Sequence, residues 1–411
     1  MQQRMVIFAL VLYAAFAFRP IVELPIFSRT LNLSPGDMVT ILLVMGIFVK
    51  ALLQNKHDIV IRRPPAVFRF FLAYIFLAVV FFIPTVLFFI MYNEMVQFLP
   101  RTLYTFLLWS ISLVLFYYGT ESNLKVKELR LIVWLLMVTF LGGVLWNIFS
   151  VGASVNFPQL MSDVFSSQGS RFFGQTDDPN QLGALSAFFS IIGIMGMLYE
   201  EKTGAKLFFS LLAVGAGLTM LLTQSREAIL TAFVSVLSII ILLIRTKMHL
   251  KAFFLSLVLT LGSILSVINI PRIATTISAI KAGEASDALS GRDQVWSITW
   301  DLISNHPFGI GYANMDHITN GAAVGAHNAF LEAAVVSGFL GVIAFTCFLW
   351  LLFKMFLEQK KLASENWMLD AYLVFSVGYL ATSVWSAHFI SFYVFNAIFY
   401  GLLGFVACAR Q

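Results

Sequence analysis

Long apolar runs separated by short polar stretches dominate the chain. A helix needs about 20 apolar residues to cross the hydrocarbon core of a bilayer, and the pattern predicts twelve such spans, the first of which is short enough to tilt or to remain interfacial. They lie near residues 5–18, 38–54, 68–92, 102–120, 129–151, 180–200, 206–223, 226–246, 250–270, 333–357, 367–387 and 392–409. An open β structure is excluded because its edges would be unpaired in lipid. We therefore expect an all-α integral membrane protein.

Most connections between these spans are short, and two are long. The expected organisation is five spans in 1–151, a loop at 152–179, four spans in 180–270, a large loop with short helices at 271–332, and three spans in 333–411. Long ordered loops are usually functional. The two loops also hold the densest polar residues of the chain, so we expect the chemistry to reside there.

Composition supports the membrane class. Hydrophobic residues make up 59% of the chain and charged residues 11%, against about 25% charged residues in soluble domains. This excludes a soluble globular enzyme and a disordered chain. Cys347 and Cys408 lie within apolar runs without metal-ligand spacing, so we interpret both as small apolar residues. No small-residue cleavage site follows the first apolar run, so we expect no cleavable signal peptide.

The distribution of charge predicts the orientation in the membrane. With the N-terminus inside, 18 of the 26 Lys and Arg residues fall on the inner side and 8 on the outer side, which favours N-in and C-in by the positive-inside rule. Both long loops then lie outside. In a membrane protein the net charge of +5 bears first on orientation, and we expect no nucleic-acid partner. Seven of the eight outer cations are Arg, the better bidentate clamp for phosphate, although each could instead pair with an acid or anchor a helix end.

The end of the first long loop contains Arg171 and, closer to the next span, the segment Asp177-Asp178-Pro179-Asn180. Asp178 followed by Pro179 is a signal for a turn and a helix start. The segment is either an ordinary helix cap or a substrate-facing lip with Arg171 and Asn180 as hydrogen-bond donors. The adjacent acids Asp177 and Asp178 are only weak evidence for a divalent metal, and we expect no metal and no cofactor.

Arg226 lies in a very short turn between two predicted spans. An arginine at the membrane boundary is costly unless it faces a cavity or a partner. Arg226 could pair with Glu227 or extend toward water. It could also bind an anion at the N-terminal end of the following helix, where the helix dipole favours negative charge.

The large loop contains two further motifs. An apolar pattern of helical period predicts a helix at about 292–304 beginning near Arg292. Beyond it, Gly309 and Gly311 indicate a tight turn, although the spacing by itself is weak evidence for phosphate binding.

His327 and Asn328 stand just before the tenth span, and His327 is the one histidine of six in a dense polar context entering a membrane helix. An imidazole that titrates near pH 7 can take a proton from a hydroxyl. The alternative is a structural histidine at a helix start, satisfied by a carbonyl.

Together and in this order, the motifs resemble the bacterial O-antigen ligase and O-antigen polymerase superfamily over roughly residues 170–345. The resemblance is carried by Asp178-Pro179-Asn180 before a Leu-Gly pair, Ser225-Arg226 at the start of a span, Gly291-Arg292 followed by Trp296, Pro307-Phe308-Gly309-Ile310-Gly311, and His327-Asn328 followed by Gly338 and Gly341. Before residue 150 the resemblance is only topological.

The resemblance implies a GT-C-like glycosyltransferase of the bacterial inner membrane with a periplasmic active site and no cofactor. Its donor would be a glycan linked to undecaprenyl diphosphate. The acceptor would be lipid A-core for a ligase, or a second lipid-linked glycan for a polymerase. The His-Asn-to-Gly spacing favours the ligase, and the polymerase remains open. A polysaccharide-related transporter is the rival interpretation, disfavoured because the polar residues gather in loops and no repeated halves are evident.

The chemistry of the individual residues agrees with this glycosyl transfer. Arg226 and Arg292 can stabilise the negative charge that develops on a diphosphate leaving group, and His327 can act as general base toward a sugar hydroxyl. A single displacement would invert the linkage without a metal. Residues expected to position the substrate are Arg171, Asn180, Asn328, Gly309 and Gly311.

Overall fold

The structure is a computed structural model. It describes residues 2–16, 22–26, 29–33, 35, 38–42, 64–91, 99–122, 124–152, 171–172, 178–269, 271–282, 292–311, 315–319, 322–323, 325–363, 366–383 and 393–409. The described part is predominantly helical. The helices are α1 Gln2–Phe16, α2 Pro65–Met91, α3 Leu99–Thr120, α4 Val126–Gly152, α5 Pro179–Tyr199, α6 Thr203–Leu222, α7 Arg226–Arg245, α8 His249–Asn269, α9 Pro271–Ala282, α10 Arg292–Asn305, α11 Met315–Ile318, α12 Ala329–Leu362, α13 Trp367–Thr382 and α14 Tyr393–Cys408.

The chain forms two compact units. The first unit comprises Met1–Thr139, Ser297–Leu369 and Ala387–Gln411, and the second comprises Phe140–Trp296 and Asp370–Ser386. Helices α4, α10 and α13 divide their residues between the two units.

In the first unit, α12 packs on α2, and α14 packs on α3 and α1. The core is aromatic: the ring centroids of Phe70 and Phe348 lie 5.3 Å apart, and those of Tyr74 and Tyr400 lie 4.9 Å apart. Helices α3 and α14 approach closely because Gly404 carries no side chain. A Cβ there would lie 2.3 Å from the carbonyl oxygen of Phe116.

In the second unit, α5 packs on both α6 and α7. The most apolar stretch of α5 is 83% buried, compared with 33% for that of α6 and 50% for that of α7. A helix that is apolar on all sides is typical of a buried position. Helix α5 is therefore the central element of this unit, and its first turn lies next to the candidate site.

The class predicted from the sequence, an all-α membrane protein, is confirmed, but the count of twelve spans is not supported. Among the described residues, six helices are long and apolar enough to cross a membrane. They are Pro65–Leu87, Val126–Phe149, Pro179–Tyr199, Thr203–Leu222, Arg226–Arg245 and Ala329–Leu362. Four more apolar helices are shorter, including Trp367–Thr382 with 16 residues, which is less than a bilayer core needs. The predicted span 38–54 lies mostly outside the described residues.

The structure also contains a short antiparallel hairpin that the sequence pattern did not predict. Strand β1 Val22–Ile26 pairs with β2 Arg29–Leu33, with Val22 opposite Leu33 and Ile26 opposite Arg29. It lies in the connection after α1.

Candidate functional site

The start of α7 organises the polar residues of the second unit. Ser225 is the N-cap, and its hydroxyl accepts a hydrogen bond from the backbone N–H of Ala228 at 3.4 Å. Gln224, immediately before it, has a positive φ of 50°, a conformation that residues with a Cβ adopt rarely and that is often found at functional sites. Residues Thr223, Gln224 and Ser225 are all at most 2% exposed. The turn that presents Arg226 is therefore buried and sharply bent.

Arg171 and Asn180 meet at this turn. Arg171 Nη2 donates to Asn180 Oδ1 at 2.5 Å, and Arg171 Nε donates to the carbonyl of Thr223 at 3.0 Å. The same Asn180 Oδ1 accepts from the Ser225 hydroxyl at 3.1 Å. One guanidinium and one amide thus join the end of α6 to the starts of α5 and α7.

Asp178 forms the ordinary cap that the sequence left open as an alternative. Its side chain accepts the backbone N–H of Asn180 at 2.8 Å, with Pro179 at the first helical position, as the preferences of helix starts predict. Asp177, its proposed partner in a metal site, lies outside the described residues.

Gly183 lets α5 approach α7 at this point. A Cβ on Gly183 would stand 2.8 Å from Ser225 Cβ and 2.9 Å from Ala228 Cβ. The first turns of two helices therefore lie side by side, and the positive ends of their dipoles add to the charge of the nearby arginines.

Arg226 and Glu227 each bind a helix of the large predicted loop. Arg226 Nη1 donates to the Thr276 hydroxyl of α9 at 2.7 Å. Glu227 accepts from Arg292 Nη2 at the start of α10 in an ion pair whose side chains are 7% and 19% exposed. The described ion pair of Glu227 is thus with Arg292, whereas the sequence suggested Arg226. Both arginines proposed as catalytic lie at the first turn of α7 within one unit.

The first unit contains the second group of predicted residues, at the start of α12. Asn328 is the N-cap, and its Oδ1 accepts the backbone N–H groups of Phe330 at 2.9 Å and Leu331 at 3.1 Å. His327, directly before the cap, has a φ of 49° and an exposed side chain. Helix α12 therefore begins immediately after an accessible imidazole in a left-handed backbone conformation.

Glu332, in the first turn of α12, reaches back to the segment before His327. Its Oε2 accepts the backbone N–H of Ala326 at 2.7 Å. Glu332 is the fourth helical residue after the Asn328 cap, one position beyond the acid of a capping box. The sequence pattern therefore did not indicate this hydrogen bond.

Gly309 and Gly311 form the predicted tight turn, with φ values of 86° and 78°. The turn packs on a break in α12 at Ser337 and Gly338. There the N–H groups of Ile310 and Gly311 donate to the carbonyls of Val335 at 2.8 Å and Val336 at 3.0 Å. The glycines are therefore explained by backbone packing, and their role in substrate binding stays a prediction.

The structure thus brings the predicted residues together in two groups. Arg171, Asn180, Arg226 and Arg292 belong to the second unit, and His327, Asn328, Gly309 and Gly311 belong to the first. Sequence reasoning missed Thr276, which binds Arg226, the pairing of Glu227 with Arg292, and the hydrogen bond of Glu332 to the turn before His327.

Comparison with known proteins gives a family match in the same region of the chain. No curated protein matches the chain. A family model described as O-Antigen ligase matches residues 209–346. The matched segment contains Arg226, Arg292, Gly309, Gly311, His327 and Asn328, but not Arg171 or Asn180. The match confirms the resemblance carried by the motifs: residues 209–346 of this multi-pass membrane protein are similar to the O-antigen ligase family.

Proposed function

We propose that the protein is a glycosyltransferase of the bacterial inner membrane that moves a glycan from undecaprenyl diphosphate to an acceptor sugar hydroxyl on the periplasmic side. The acceptor would be lipid A-core, which makes the protein an O-antigen ligase. The observation that carries the proposal is the pair Arg226 and Arg292 at the first turn of α7, inside the segment that matches the O-antigen ligase family.

The first turn of α7 suits the diphosphate of the donor. When the glycosidic bond breaks, negative charge develops on the leaving diphosphate, and fixed cations at that position lower the barrier. Guanidinium groups bind phosphate oxygens in a bidentate manner, and the helix N-terminus adds partial positive charge. Arg226 and Arg292 would supply this charge without a metal ion.

Arg171 and Asn180 would act by positioning rather than by chemistry. Their hydrogen bonds to Thr223 and to Ser225 fix the turn from which Arg226 extends. Holding a reacting group in place contributes much of an enzyme's rate, so we assign them to the architecture of the diphosphate site.

His327 would be the general base. Its exposed imidazole can take the proton of the acceptor hydroxyl as the hydroxyl oxygen attacks the anomeric carbon. The bond from that carbon to the diphosphate oxygen breaks at the same time, and its electron pair leaves with undecaprenyl diphosphate. One displacement inverts the configuration at the anomeric carbon. Asn328 would position His327 by capping the helix that follows it.

Reconstitution tests the proposal. Purified protein in liposomes would receive an undecaprenyl-diphosphate-linked glycan, with and without lipid A-core, in the presence of EDTA. Glycan that moves to lipid A-core only when that acceptor is present supports a metal-independent ligase. A ladder that grows on undecaprenyl diphosphate without lipid A-core would identify a polymerase instead. Activity that requires an added divalent cation would contradict the metal-independent mechanism.

Two substitutions separate the transferase from a transporter of polysaccharide. Arg226→Ala and His327→Ala should each abolish transfer in protein that remains folded, as judged by its elution and thermal unfolding in detergent. Retained transfer in both variants would overturn the assigned mechanism. Movement of the lipid-linked glycan across the liposome membrane without any transfer would favour the transporter.

A further inference from the structure

Glu332 is a buried carboxylate that the proposed chemistry leaves unused. It lies in the first turn of α12 and is 9% exposed. Its Oε2 accepts the backbone N–H of Ala326 at 2.7 Å, six residues earlier in the chain. Ala326 is fully buried, so this N–H has no access to bulk water. Without an acceptor it would be a buried unsatisfied donor, which folded proteins avoid.

The hydrogen bond from Ala326 lies directly before His327 in the chain. On the other side of His327, Asn328 Oδ1 accepts the N–H groups of Phe330 and Leu331. Hydrogen bonds thus fix the backbone immediately before and immediately after His327. Between these two sets of hydrogen bonds, His327 has a φ of 49°, which residues with a Cβ adopt only where the surroundings hold them.

The length of the Glu332 side chain is essential to this arrangement. Glu332 returns to the segment before its own helix, and a Cβ built on Gly325 would lie 3.5 Å from Glu332 Oε2. The carboxylate is therefore in contact distance of the turn at Gly325 as well as bonded to Ala326. An aspartate in this place would be shorter by one methylene and would not span the gap, whereas a glutamine would keep both the length and an acceptor oxygen.

We propose that Glu332 is a positioning residue for His327, which fixes the backbone of Ala326 and His327 so that the imidazole meets the acceptor hydroxyl in a reactive geometry. This inference rests on the proposed function, in which His327 is the general base. Glu332 acts through its hydrogen bond to the backbone and through its length. A misplacement of about 1 Å in a catalytic group can lower a rate by about 10²-fold.

The test compares Glu332→Gln with Glu332→Asp in full-length protein in liposomes. We expect the glutamine variant to keep kcat within about threefold of the unsubstituted protein, because it retains the acceptor. The aspartate variant should lose about 10²-fold in kcat with an unchanged KM for the donor, because the residues assigned to the diphosphate are untouched. Glu358→Asp is the matched control on the same helix. Its carboxylate pairs with Arg69, and it should transfer like the unsubstituted protein.

Hydrogen exchange provides a readout that does not depend on activity. The amide of Ala326 should be protected in the unsubstituted protein and in Glu332→Gln, and should exchange at least tenfold faster in Glu332→Asp. A fully active aspartate variant, an inactive glutamine variant with a protected amide, or equal protection in all three proteins would overturn the proposal. Absence of transfer in the unsubstituted protein would instead overturn the proposed function, and hydrogen exchange would still decide whether Glu332 holds the turn.

Discussion

Arg292 and Glu227, 65 residues apart in the chain, form an ion pair that joins the start of α10 to the first turn of α7. The carboxylate is 7% exposed and the guanidinium 19%. A charge buried to this degree is unfavourable unless it is paired. The pair therefore determines where Arg292 stands beside the N-terminus of α7, before any ligand is bound.

The ion pair predicts that substitutions of Glu227 and Arg292 change the stability of the protein and its transfer activity in different ways. Glu227→Gln alone leaves Arg292 without its charged partner and should lower the free energy of unfolding by about 3 kcal/mol. The double substitution Glu227→Gln with Arg292→Gln removes both charges and should recover most of that loss. Transfer should nevertheless fall by about 10²–10³-fold, because the diphosphate loses a fixed cation.

Thermal unfolding in detergent and the liposome transfer assay would measure the two quantities on the same preparations. A double variant that is both stable and active would mean that Arg292 serves only the fold. The same pair of measurements on Arg69 and Glu358, an exposed ion pair at 2.7 Å on α2 and α12, provides the comparison. There both the loss of stability and the loss of transfer should be small.

A second prediction concerns the break in α12. Pro84 lies inside α2 and has no N–H, so the carbonyl of Val80, four residues earlier, lacks its usual helical donor. The hydroxyl of Ser337, at the break in α12, donates to this carbonyl at 2.9 Å and is 3% exposed. The Ser337 hydroxyl of α12 thus supplies a donor to the carbonyl that Pro84 leaves without one in α2.

Ser337→Ala should therefore destabilise the protein by about 1–2 kcal/mol. In a Pro84→Ala background the new N–H of residue 84 can reach Val80, so the same substitution should be less destabilising there, with a coupling energy of about 1 kcal/mol. A double-mutant cycle on unfolding in detergent micelles measures this coupling. Equal losses in both backgrounds would mean that Val80 is not the relevant acceptor.

Much of the local structure follows from the sequence. The helices Pro179–Tyr199 and Arg226–Arg245 begin within one residue of their predicted starts, because Asp178-Pro179 and Ser225 are strong N-terminal signals. The turn at Gly309 and Gly311 was likewise evident from the spacing of the glycines. Local chemistry is sufficient for such features.

The remaining features depend on contacts between distant residues. Nothing near Glu227 in the chain indicates that it pairs with Arg292, 65 residues away. Likewise, Glu332 shows its function only once the preceding turn is folded back so that Ala326 can reach it. The hairpin was missed for a different reason. Strand β1 contains Pro25, which cannot donate to a strand ladder and argues against a strand.

A third prediction concerns the glycines that pack the turn onto α12. A Cβ on Gly338, which has a φ of 62°, would lie 2.0 Å from the carbonyl oxygen of Pro307, and a Cβ on Gly309 would lie 2.3 Å from that of Val336. Backbone atoms cannot easily move aside, so alanine at either position should lower the free energy of unfolding by more than about 2 kcal/mol.

Gly262→Ala in α8 is the matched control. It meets nothing within 4 Å and should stabilise the helix by up to about 1 kcal/mol. Thermal unfolding of the three variants decides the point, and unfolding temperatures that agree for all three would contradict the packing described for the turn.

The last prediction separates two roles for Asn328. Its Oδ1 accepts the N–H groups of Phe330 and Leu331, and aspartate is as good an N-cap as asparagine. Asn328→Asp should therefore keep both stability and transfer, whereas Asn328→Ala should lose about 1 kcal/mol of stability together with part of its transfer, because His327 precedes a frayed helix. Unfolding and transfer measured side by side test this. A stable but inactive aspartate variant would show that the amide NH2 of Asn328 contacts the substrate, and positioning by the cap would then be an insufficient account of this residue.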